Sequence, residues 1–481
     1  VRDAKLVNWT TSYNDKNVQI VEVISGLAVV GKNFWSVQKA AAQIRVNWDI
    51  QGFPEVSSQS LNQHYQNNLT DNVPDANSKT TLTGKKRISS AFQIPHMAHA
   101  TMEPVNATAK ISAQDCEIYA PTQAPDKVKA DISKLLGLPE DKVTVRVTLL
   151  GGGFGRKSYR DFIVDAVLIA KKIARPVKLI YTRENDIKYD MLRPATYHKT
   201  SAIVSREGNL DKVTIQAAGP SILQFYQYPK LDKVPEIDFL TFAGTDNFPY
   251  QTKQLKTKIY TDPNPRGPAV GILRSIGHSA SCYVRECFVD QLAQLQQQDP
   301  LNYRLRLLQE NERAQNVLRQ AAQLANWGQT LPDGHFQGCA LFEEAYPEDN
   351  YYTCNVQIAE ISLQNNELKV HRVVTVGDFG RIIHPDLVAA QMEGGVIFGM
   401  SLTLFDRITV ENGQVQQSNF HDYRLPRMTD APKVDTHIIE STEKPSGVGE
   451  KVVPATIPAI CNAYYAATGQ LTTSLPLTHS G

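Results

Sequence analysis

None of the six cysteines (Cys116, Cys282, Cys287, Cys339, Cys354 and Cys461) stands in C-x-x-C spacing with another. That spacing would be needed for a zinc ribbon, a thioredoxin-type site or a ferredoxin-type cluster, so none of these is expected here. Most of the six sit among apolar neighbours and read as buried, inert thiols. Cys339 and Cys354 stay open as a pair in an exported protein. No run of about 18 apolar residues exists, so no transmembrane helix is predicted. The opening stretch, Val1 to Asn17, lacks both an initiator Met and the hydrophobic core of a signal peptide; a processed product, a fragment or one piece of a longer polypeptide is expected. An excess of charge is also missing. Fifty basic against 49 acidic side chains leave a net +1, which asks for neither nucleic acid nor an anionic membrane surface as partner.

What is present is the balance of a globular chain, with 42% hydrophobic and 21% charged residues. The 481 residues suggest two to four domains. VEVISGLAVVGKN reads as a strand and FWSVQKAAAQIRVNW as a helix followed by a strand. From Asp49 to about Lys86 the chain is polar and reads as a long surface loop or linker. Pro125–Leu136 has the spacing of a helix, with Gly137 placed to stop it. Val143, Val145 and Val147 alternate as in a strand. The loop GGGFGRKS (Gly151 to Ser158) and a helix over roughly 160–174 follow. Further helices are predicted over 279–297 and 309–325, near Asp386, and after GVGEKVV. Strands are predicted in YTCNVQIAEISL and LKVHRVVTV. Separate helices with antiparallel-looking strand pairs argue for an α+β fold.

GGGFGRKS approaches the P-loop pattern G-x-x-x-x-G-K-[ST] but puts Arg156 where the pattern requires Gly, and the Rossmann spacing G-x-G-x-x-G is absent. A nucleotide triphosphatase is therefore disfavoured. Three consecutive glycines ahead of a helix do suit close backbone approach to an anionic or flat ligand; a tight turn with no ligand is the alternative for the loop alone.

Five segments in order, GGGFGRK at 151–157, LRSIGH at 273–278, AAQMEGGVIFG at 389–399, HDYRLPRM at 421–428 and GVGE at 447–450, resemble those of the xanthine dehydrogenase and aldehyde oxidase family of molybdenum hydroxylases. HATMEPVNATA, APTQAPDKV and QQSNFHDYRLPRM look like its isoquinoline 1-oxidoreductase and membrane-associated aldehyde dehydrogenase branch. The resemblance implies molybdenum-cofactor-binding domains over 89–260 and 261–481, after a partial hammerhead-like segment and polar linker over 1–88. It implies oxidation of an aldehyde or N-heteroaromatic C–H with water-derived oxygen. Glu450 would be the catalytic base, seated in a dry pocket. Gly152, Gly153, Phe154, Gly155, Arg156, Arg274, Ser275, Gln391, Gly447, Val448 and Gly449 would bind the cofactor, a molybdopterin in the cytosine dinucleotide form whose dithiolene, not the protein, holds molybdenum. His99, Glu103 and Tyr159 would shape the substrate pocket. Partners implied are a small subunit with [2Fe-2S] clusters and, downstream, a c-type cytochrome, in the periplasm or at the membrane.

Three departures bear on these implications. Ser158 replaces a Glu of xanthine-oxidising members, and Met97 replaces a Gln; both argue against a purine substrate. The family's Met-Gly-Gln-Gly loop is missing and is expected from an upstream segment or a separate subunit. From a different class, a cofactor-less scaffold or assembly subunit keeping the fold stays open.

Overall fold

The computed structural model describes residues 5–23, 26–49, 55–69, 79–82, 85–226, 231, 233–364 and 367–477. Three sheets carry the molecule. A five-stranded sheet runs in the order Leu255–Thr261, Leu210–Gly219, Thr196–Val204, Lys85–Ile94, Lys79–Leu82. A four-stranded sheet orders Val177–Ile180, Asn106–Ile111, Cys116–Ala120 and Val143–Val147. The third orders His335–Tyr346, Tyr351–Gln364, Glu367–Asp378 and Lys433–Ile438. Most neighbours are antiparallel, and each sheet ends in one parallel pair. Mixed sheets with segregated helices are the α+β arrangement expected.

Helix His278–Leu295 is buried almost all round. With Val453–Thr468 it fills the space between the first and third sheets, and Ile88, Val213, Phe288, Val317, Leu341 and Val356 share the largest core cluster. The fit is closest at Gly338, where a Cβ would stand 2.0 Å from the Ala463 nitrogen on helix Val453–Thr468. Helix Pro385–Leu404 is long and apolar enough to cross a membrane by composition. Here it is a core helix: Val388, Met392, Val396, Met400 and Leu404 face a second cluster with Val452, Ala455 and Ala459.

Several expectations need correction. The strand read in VEVISGLAVVGKN is an antiparallel pair, Val18–Val23 with Gly26–Gly31. The polar stretch contains the helix Ser58–Asn68, started by a reciprocal Ser57/Ser60 capping box. Its Leu61 and Tyr65, one turn apart, pack with Tyr197 and Ala218. Two apolar residues on one face suffice there, although the surrounding composition reads as loop. Helix Pro300–Leu307, capped by Asp299, was not anticipated. Strand Lys85–Ile94 carries the chain straight through the boundary placed at 88, and Leu255–Thr261 through that at 260. The turn expected at 364–367 lies partly outside the described residues. All six cysteines are buried thiols. Cys339 faces Ile358 and Cys354 faces Glu343 across the same strand pair. Four residues of register, at roughly 3.4 Å each, separate them far beyond disulfide reach.

Candidate active site

The glycine loop joins strand Val143–Val147 to helix Asp161–Ile173. Gly152 (φ 94°), Phe154 (φ 53°) and Gly155 (φ 110°) adopt left-handed backbone. At Gly155 the need for glycine is double, since a Cβ there would stand 2.0 Å from the Ile272 carbonyl oxygen. Among the described residues nothing accepts from the N–H groups of Gly152, Gly153 or Phe154. Consecutive free donors on such a turn form a concavity suited to an anion.

The loop's side chains turn the other way. Arg156, expected among the cofactor-binding residues, is 2% exposed. It donates to both Asp161 oxygens (2.8 and 2.7 Å) and pairs with Asp190 at 3.0 Å. Its guanidinium is thus engaged inside the protein, which corrects the expectation for this residue. Lys157 is fully buried against Glu103, whose Oε2 also accepts from the Gly151 N–H at 2.8 Å. His99 lies between the Asp190 carboxylate and the Ile272 carbonyl (2.7 Å), and the Tyr159 hydroxyl accepts from the Ile272 N–H at 3.0 Å. His99 and Tyr159, expected to shape a substrate pocket, are internal braces for the two loops, and the partly exposed Glu103, expected there too, braces the glycine loop from its edge.

Arg274 joins four of the five motifs. Its N–H donates to the Phe154 carbonyl (2.9 Å), its Nε to the Gly449 carbonyl (2.7 Å) and its Nη2 to Gln391 Oε1 (3.0 Å). The Phe154 ring lies 5.0 Å from that of Phe398, which belongs to the same helix as Gln391. Ser275 donates its N–H to Glu450 Oε2 (2.9 Å) and its hydroxyl to the Glu450 carbonyl (2.6 Å). Ser275 (φ 83°) and Ile276 (φ 44°) are successive non-glycine residues in left-handed backbone. Such strain costs of order 1–3 kcal/mol per residue and is commonly retained at functional sites. Here it aims the Ser275 N–H at a carboxylate. The fifth motif lies elsewhere: Tyr423 of HDYRLPRM is buried and bonded to the backbone of Ala98.

Val448 anchors the GVGE turn by packing on the second core cluster. A Cβ on Gly449 would meet nothing within 4 Å, and one on Gly447 only the Lys451 Cε at 3.9 Å. The Glu450 side chain is 40% exposed, so the dry pocket expected for it is not formed by this chain's described residues. Beside it, Lys451 Nζ is 3.9 Å from Glu450 Oε1 but 2.5 Å from Glu344 Oε2. Glu344 also accepts from His278 Nε2 (3.0 Å) and from the Tyr346 and Tyr351 hydroxyls. Burial works to raise its pKa, but His278 and Lys451 prevail and hold it down at about 2. This buried carboxylate braces the 274–278 and 447–451 segments from behind. The sequence reading missed it. Its signal was the acid pair Glu343–Glu344 following the apolar run Cys339–Phe342 of strand His335–Tyr346, since buried acids need partners.

With this geometry in place, comparison with known proteins identifies the class. The molybdopterin cofactor-binding domain model matches residues 61–308, and a second model of the same description matches 289–432. The chain belongs to the molybdopterin cofactor-binding domain family. It is 30% identical over 478 residues to the beta chain of the isoquinoline 1-oxidoreductase of Brevundimonas diminuta, covering 95% of this chain and 60% of that one. It is 30% identical over 402 residues to a membrane-bound aldehyde dehydrogenase (pyrroloquinoline-quinone) of Gluconacetobacter polyoxogenes, covering 79% and 52%. A nicotinate dehydrogenase component of Pseudomonas putida matches at 24%, covering 96% and 40%. The chain thus spans between two fifths and three fifths of the length of these relatives. Quinoline 2-oxidoreductase from Pseudomonas putida 86 shares the fold, with a TM-score of 0.81 at 13% identity over 98% of this chain and 92% of that one. The Cu,Mo-CO dehydrogenase shares it at 0.76 and 13%, with the same coverage.

The residues fit a flat, anionic cofactor. Free N–H groups at 152–154 suit a negatively charged group, bare glycine backbone at 447 and 449 leaves room for a flat one, and Arg274 adds positive charge between them. Among the described residues no three His, Cys, Asp or Glu side chains gather as a metal site.

Proposed function

We propose that this chain is the molybdopterin-binding part of an oxidoreductase that hydroxylates an N-heteroaromatic C–H or oxidises an aldehyde, with Glu450 as catalytic base. The observation that carries this reading is the convergence at Arg274 and Ser275, which ties the glycine loop, the Gln391 helix and the GVGE turn to one point. The cofactor would lie on the N–H groups of Gly152, Gly153 and Phe154, the Gln391 amide, the Arg274 and Ser275 turn and the bare backbone of 447–449. When bound it supplies the activated oxygen and accepts the two electrons of the oxidation. The protein's part is orientation and proton transfer. The Ser275 N–H fixes Glu450 Oε2, which leaves Oε1 to take a proton. Lys451 is held off Oε1 by its shorter contact with Glu344.

The names of the relatives support an aldehyde or N-heterocycle as substrate class. Electrons would leave through a partner subunit with [2Fe-2S] clusters, and a c-type cytochrome would follow. The missing Met-Gly-Gln-Gly segment, from elsewhere in the polypeptide or from a second subunit, would cover the open Glu450 carboxylate and dry the site. The cytosine dinucleotide form of the cofactor and a periplasmic, membrane-associated setting complete the reading. The 40% exposure of Glu450 is what favours the second reading, a cofactor-less scaffold. Metal and pterin analysis of the purified complex separates the two. Stoichiometric molybdenum with turnover of heteroaromatics or aldehydes and an artificial acceptor supports the enzyme, and a metal-free, inactive complex supports the scaffold.

A further inference from the structure

Five arginines are buried among the described residues: Arg156, Arg160, Arg193, Arg285 and Arg304. Four of them pair with carboxylates, Arg156 with Asp161 and Asp190, Arg160 with Asp131, Arg285 with Glu286, and Arg304 with Glu286 and Asp290. Arg193 does not. It is 4% exposed, its Nε donates to Ser279 Oγ at 3.2 Å, and its Nη1 has no partner among the described residues. Burial pulls its pKa down to about 10 with no neighbouring carboxylate to offset it, so the side chain is still a cation at neutral pH. The ionisable neighbours offer no compensation. His96 and His198 are buried, and burial together with the charge of Arg193 pushes both down to about 3, so they are neutral.

Arg193 faces a small cavity of about 10 Å³, lined also by Thr196, Thr241, Leu273, Ile276 and Gly277. That is room for about one water-sized species. Thr196 adds a donor. Its Oγ1 is 3.0 Å from His198 Nε2, while His198 Nδ1 has no partner among the described residues. In the tautomer that carries the single ring proton on Nε2, the Thr196 oxygen accepts that proton and its own hydroxyl proton turns toward the cavity. An isolated buried cation is strongly disfavoured unless it is paired. We propose that Arg193, held by Ser279 and with Thr196 beside it, forms a buried site for one small monovalent anion of the halide class, chloride under ordinary conditions. The site backs onto the strained turn at Ser275 and Ile276, so an anion there braces from behind the turn whose front holds Glu450.

The test uses the purified full-length protein exchanged into gluconate, an anion too large for the cavity, with chloride or bromide added at constant ionic strength. A saturable rise in melting temperature of roughly 2–5 °C at a hundredfold excess over the dissociation constant is expected with either halide. Arg193→Met is expected to lose that dependence. Should the variant not fold, bromide-soaked crystals of the wild-type protein decide: an anomalous bromine peak in contact with the Arg193 guanidinium supports the site. Identical melting in halide and gluconate, or a water or a carboxylate from another part of the polypeptide at that position, overturns it. Neither readout depends on catalysis, so the outcome is separate from that for the proposed activity.

Discussion

Replacing Arg274 by Met removes the side-chain bonds to the Gly449 carbonyl and to Gln391 while leaving the backbone bond to Phe154 in place. Hydrogen bonds from a charged donor contribute about 1.5–3 kcal/mol each. Both acceptors lie at the protein surface, so about 1 kcal/mol apiece is the appropriate figure. Losing about 2 kcal/mol of local restraint raises the open population of the GVGE turn about 30-fold, at 1.4 kcal/mol per factor of ten. Hydrogen–deuterium exchange of a peptide covering 446–452 reads this directly, and its amides should exchange about 30-fold faster. Peptides from the buried helix His278–Leu295 should be unchanged. Arg274→Lys should behave much like Met, because an ammonium lacks the fork that reaches both acceptors. Unchanged exchange at 446–452, or an equal acceleration throughout the chain, would refute Arg274 as the tie between the motifs.

Three further outcomes are expected. Glu450→Gln should retain molybdenum and pterin but lower kcat about 100- to 10,000-fold; near-normal turnover would remove Glu450 as the base. Gly449→Ala adds a methyl group with nothing within 4 Å, so cofactor-free protein should keep its melting temperature while molybdenum occupancy falls; full occupancy would place the cofactor elsewhere. Glu344 has its pKa held down at about 2 in the folded protein. A depressed carboxylate stabilises above its unfolded pKa and loses that stability as pH falls through the folded one. Its contribution, on the order of 2–3 kcal/mol, should therefore fade between about pH 4.5 and pH 2. Unfolding free energies over that range should fall less steeply in Glu344→Gln, and parallel curves would contradict the assignment.

Much of the fold was legible because its signals are local. Gly137 ends Pro125–Leu136 in left-handed backbone, as a helix-stopping glycine should. Tyr351–Gln364 and Glu367–Asp378 pair as the strand patterns suggested. The helix Ser58–Asn68 was hidden because its stability comes from Leu61 and Tyr65 meeting Tyr197 from a distant strand, and composition carries no trace of that contact. At the candidate site, motifs marked the right segments but not the direction of each side chain. Arg156 looked like a ligand-facing residue because it sits in the loop, yet Asp161 and Asp190 draw it inward. His99 is drawn inward for the same reason by Asp190, and Glu103, partly exposed, is engaged by the buried Lys157. Glu344 was invisible because its partners, His278 and Lys451, lie 66 and 107 positions away. Pairing of buried charges is a tertiary property, and a linear reading reaches it only through the weak hint of acids following an apolar run.

The most direct measurement is anomalous scattering at the molybdenum edge from crystals of the purified holoprotein. One metal peak is expected beside the Glu450 carboxylate, between Phe154 of the glycine loop and the Gly447–Gly449 turn. A peak remote from that carboxylate, in crystals whose protein carries stoichiometric molybdenum, would contradict the convergence of these motifs on one cofactor.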